Sequence, residues 1–101
     1  MTTYHKALES EQSVRQLIVS IHESVVQIRQ YQLDYEKDIY QLEASLLRVH
    51  KNETQDKLTR TNRFMNQLLQ MESDQMRQLK DLNIRLNEAI QATQNALEKE
   101  L

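Results

Sequence analysis

The chain has 101 residues, no Gly, Pro, Cys or Trp, 39% hydrophobic and 28% charged residues, and a formal net charge of −2. Without Gly or Pro it lacks the residues that build tight turns and Gly-rich phosphate loops, and without Cys it has no disulfide or thiolate chemistry. Lys and Arg stand six against seven Asp and Glu in residues 1–51 and seven against eight in 52–101, so no concentrated basic face exists to neutralise nucleic-acid phosphates.

The first predicted element is a helix over 3–50, capped by Thr2 or Thr3. Its a and d positions read Tyr4, Ala7, Glu11, Val14, Ile18, Ile21, Val25, Ile28, Gln32, Tyr35, Ile39, Leu42, Leu46 and Val49. Only Glu11 and Gln32 break the apolar or Tyr pattern, and such a 3-4 spacing predicts coiled-coil-like packing. A second column stands at b: Val19, Val26, Leu33, Tyr40 and Leu47, each seven residues from the last, with Leu17 and Tyr31 flanking at g. In a two-helix hairpin b positions meet water and are normally charged, so these seven residues are the expected protein interface.

The heptad phase then slips across His50-Lys51-Asn52-Glu53-Thr54-Gln55-Asp56, which contains no apolar residue. A turn is expected at 51–55, with Asn52 able to take a left-handed cap conformation, followed by a second helix over 56–99. The second seam has a positions at Leu58, Met65, Glu72, Leu79, Leu86, Thr93 and Glu100, and d positions at Thr61, Leu68, Gln75, Leu82, Ala89 and Ala96. An e column of Leu69, Met76, Ile90 and Leu97 is expected to widen the buried stripe. The predicted fold is all-α: one domain over 1–101, an antiparallel two-helix hairpin that completes a helical bundle with a partner or a second copy. Folding about 53–54 sets Gln32 against Gln75 and Tyr35 against Glu72, a polar layer that would fix the register.

His5, His22 and His50 lie many turns apart on one helix, and the position three residues after the His22-Glu23 pair is Val26, so no zinc-protease motif forms. Acidic pairs such as Asp34 and Asp38 have the spacing of a solvated helix face, and no loops are present to assemble a catalytic constellation. The chain reads as non-enzymatic, with no cofactor, metal or nucleic acid. The longest aliphatic run, Leu17-Ile18-Val19, is far short of a membrane span. No apolar stretch of signal-peptide length follows the first six residues, so the expected location is the cytoplasm, any export needing no cleavable signal.

In length and helical-hairpin architecture the chain resembles the WXG100 family of type VII secretion and its relatives. The turn reads His50-Lys51-Asn52-Glu53 in place of the family's Trp-Xaa-Gly. No Tyr follows Tyr40, and Phe64 is followed at the fourth position by Leu68, so the C-terminal export signal is absent. The resemblance implies an accessory or targeting chaperone that binds the helical domain of a larger secreted protein, such as a toxin's N-terminal domain, alongside another small helical protein. Two further readings fit the same residues: a self-associating structural or scaffolding coiled-coil subunit, and a small chaperone like those of type III or flagellar export.

Overall fold

The computed structural model describes residues 2–101. Two α-helices, α1 over Thr3–Arg48 and α2 over Asn52–Glu100, pack against each other as an all-α hairpin, with no strand among the described residues. Helix α1 starts on Thr2, whose hydroxyl accepts the His5 N–H (3.1 Å) and lies 2.6 Å from His5 Nδ1, while its carbonyl accepts the Lys6 N–H (3.2 Å). Of the two expected caps, Thr2 is therefore the one used.

The turn is shorter and earlier than the sequence predicts. Val49 N–H still donates to the Ser45 carbonyl (3.0 Å), and Gln55 N–H already donates to the Lys51 carbonyl (3.0 Å). Only Val49, His50 and Lys51 separate the helices, in place of the expected 51–55. Asn52 opens α2 and takes no left-handed cap, since no described residue has positive φ. A run without apolar residues marks where a helix has nothing to pack on. It does not stop backbone hydrogen bonding, and so Asn52–Asp56 continues as helix, exposed except at half-buried Thr54.

Contacts divide the chain into two compact units: an end unit, Met1–Ser24 with Gln75–Leu101, and a turn unit, Val25–Asp74. A single seam has only local contacts, and no layer gathers the residues round one centre. In the end unit Val14, Leu79, Leu82 and Ala96 are buried, with Thr93 among them donating its hydroxyl to the Ala89 carbonyl (2.9 Å). Tyr4 N–H reaches Glu100 Oε1 at 3.3 Å. In the turn unit Val25, Ile28 and Leu58 are buried, and the hydroxyl of buried Thr61 donates to the Lys57 carbonyl (2.8 Å). These i−4 bonds satisfy hydroxyls that burial would otherwise leave costly.

All the a and d positions predicted for the two helices are buried or half-buried except Val49 and Glu100. Val49 is 58% exposed, because it lies in the turn. The e column departs from expectation: Leu69, Met76 and Leu97 are exposed, and only Ile90 is half-buried. The buried stripe is thus the narrow a/d seam, and no large side chain is fully buried among the described residues.

The predicted polar layer is re-paired. Gln32 Nε2 donates to Glu72 Oε2 (3.1 Å), and Arg29 Nε donates to the same oxygen (3.4 Å). Tyr35 stacks on Phe64, with ring centroids 6.1 Å apart. Gln75 Oε1 is buried with no partner. The expected Gln32–Gln75 and Tyr35–Glu72 pairs are replaced for two reasons. The earlier turn moves the register, and a carboxylate is a stronger acceptor for the Gln32 amide than another amide.

Candidate helix-docking edges

The b column is built by the same heptad that makes the seam, since b lies beside e on the helix surface, turned away from the facing helix. All seven expected interface residues are exposed. Val19 and Leu17 belong to the end unit; Val26, Leu33, Tyr40, Leu47 and Tyr31 belong to the turn unit. Exposure reaches 67% at Val26, 75% at Tyr40 and 89% at Leu47, too much for side chains of this kind to be partly packed.

In the turn unit the column borders an open groove of about 500 Å³. Leu33, Met65 and Leu69 give it an apolar floor, and Arg29, Glu36 and Glu72 give it a charged rim. Leu33 comes from α1 and Leu69 from α2, so the edge is composite. Val26 and Tyr40 continue the Leu33 column one heptad to either side. The g positions of both helices, which an antiparallel seam gathers on the other edge, carry a second apolar set: Tyr31, Phe64 and Met71, each 47–48% exposed. Tyr31 accepts the Gln27 side-chain amide at 3.2 Å.

In the end unit Leu17 borders a depression with Ile21 and Leu82, flanked by Asp81 and Arg85. Val19 sits between Arg15 and Glu23. A third depression, on α2, holds Met76, Leu79 and Ile84, with His22 at its rim.

The contributions of α2 are what the sequence reading missed. Leu69 and Met76 stood in the column assigned to the core, Met71 was read as core filling before surface, and Phe64 and Ile84 were not singled out as surface. A signal was available: an e column beside a complete a/d seam is surplus to a two-helix core, as the b column of α1 is.

No family model, curated protein or solved structure matches this chain. Among the described residues no three His, Cys, Asp or Glu side chains gather as a metal-holding group, and no helix is long and apolar enough to cross a membrane. What the surface offers chemically is apolar area framed by alternating charge. Each such side chain contributes about 1.5–3 kcal/mol when fully buried.

Proposed function

We propose that this chain is a non-enzymatic helical protein-binding module, which completes a bundle by taking further helices along its apolar edges. The observation that carries this reading is the exposed column Val26, Leu33, Tyr40 and Leu47, joined by Leu69 across the groove. Helix-in-groove recognition uses such rows of anchors at helical spacing. The chain's hairpin architecture and its resemblance to WXG100-like proteins favour an accessory role, in which the module binds the helical domain of a larger protein destined for export.

The test is co-expression with the helical product of a neighbouring gene, followed by size-exclusion chromatography. The wild type is expected to co-elute with that product. Leu33→Asp and Tyr31→Asp, one on each edge, are expected to reduce the complex about 100-fold or more at the edge that is used, with far-ultraviolet circular dichroism unchanged. Continued co-elution of both variants would rule these edges out as the docking surface.

A further inference from the structure

We infer that the b-column edge of the turn unit takes a second copy of this chain, packed antiparallel about a two-fold axis at Leu33. The inference rests on the docking role of that edge and names its occupant from charge. Along α1 the e position beside the column is basic at Arg29 and acidic at Glu36, on either side of Leu33. An antiparallel pair of helices brings e columns edge to edge. With the axis at Leu33, residue 29 of one copy lies level with residue 37 of the other. Arg29 then stands within one residue, about 1.5 Å of rise, of Glu36 of the second copy. The two-fold makes the contact isologous, so the same ion pair forms twice.

The apolar residues obey the same axis. Leu33 meets Leu33 of the second copy, and Val26 lies level with Tyr40 of the second copy, a small side chain against a large one. On the far side of the column the f positions bring Lys37 against the uncharged Gln30 of the second copy, so no like charges meet there. Both ionic partners are free to engage. Glu36 is exposed and has no bond among the described residues. The Arg29 side chain is 56% exposed and commits only Nε to Glu72, leaving the terminal nitrogens of its guanidinium as donors. A different helical protein would have no reason to match a charge pattern that inverts about one residue of this chain. A second copy matches it by construction. The Tyr31, Phe64 and Met71 edge stays open for another partner.

The experiment is light scattering after size exclusion, on wild type, Arg29→Glu, Glu36→Arg and an equimolar mixture of the two variants. Wild type is expected at two-chain mass. Each variant alone sets like charges against each other twice and is expected at one-chain mass, its association weakened about 100-fold. The mixture restores both ion pairs and is expected at two-chain mass, with one copy of each variant. Circular dichroism confirms that the variants remain helical. If Arg29→Glu loses helix through repulsion from Glu72, the double variant Arg29→Glu, Glu72→Gln takes its place in the mixture. Wild type at one-chain mass at about 100 µM, where even weak complexes register, overturns the second copy and leaves the docking role to be judged on the heterologous partner. A mixture that stays at one-chain mass while helical overturns it as well. A two-chain mass unaffected by Glu36→Arg and by Leu33→Asp shows that another surface joins the copies and overturns the inference, with the docking role of this edge again judged on the heterologous partner.

Discussion

Gln75 is the residue whose environment costs the fold most plainly, since its side-chain carbonyl is buried without a hydrogen-bond partner. An orphaned buried acceptor costs about 1–3 kcal/mol, whereas an apolar group of similar size gains from the same position. Gln75→Leu is therefore expected to stabilise the hairpin by about 1 kcal/mol, raising the thermal midpoint by roughly 5 °C. A midpoint that stays level or falls in a thermal melt would show that Gln75 is satisfied by solvent. Glu72 has the opposite character. It collects a bond from Gln32 and an ion pair from Arg29 on one carboxylate oxygen, so one residue ties α1 to α2 within the turn unit. Such a charge-assisted pair selects a register more than it adds stability.

At the scale of the elements, the two helix starts contrast. Helix α1 opens on a Thr that bonds the third helical N–H, but α2 opens on Lys51, which has no side-chain acceptor to cap with and puts a cation at the positive end of the helix. Lys51→Asp is expected to supply both missing terms and to add about 1 kcal/mol, again a rise of roughly 5 °C in the thermal midpoint. No rise would mean that the α2 start lies elsewhere than Lys51. The turn length matters beyond its own three residues, because it sets which turn of α2 meets each turn of α1. A 3-4 seam repeats every half heptad, and a slip of one layer replaces apolar contacts by equally apolar ones. Glu72 against Gln32 lies about one layer, and Phe64 against Tyr35 about two layers, from the predicted partners for that reason.

For the whole molecule, stability and association are expected to be one property. The seam buries no large side chain completely, and the edges hold more apolar area than one seam can cover. Anything that binds the folded hairpin and not the unfolded chain raises its stability by mass action. The thermal midpoint of the isolated protein is therefore expected to rise with its own concentration, by several degrees over a hundredfold range. Val26→Asp is expected to flatten that dependence while leaving the helical signal at low temperature intact. A midpoint independent of concentration in the wild type would separate folding from self-association.

The seam was legible because burial in a helix pair is a matter of period. Val14, Val25, Ile28, Leu79 and Leu82 are the most deeply buried of the large residues at the predicted a and d positions, and any partner helix would have buried them. The surplus b column was legible for the same reason, since two helices have only one face each to share. Composition by itself excluded Gly-built loops and cysteine chemistry, and the 3-4 period then assigned both halves to helix. Only the tertiary structure decided where the chain turns, that Glu72 and not Gln75 receives Gln32, and that Leu69 of α2 shares an edge with Leu33 of α1. Those outcomes depend on the axial offset between two helices. A repeating apolar pattern is nearly indifferent to that offset, whereas a three-residue turn and one carboxylate are not.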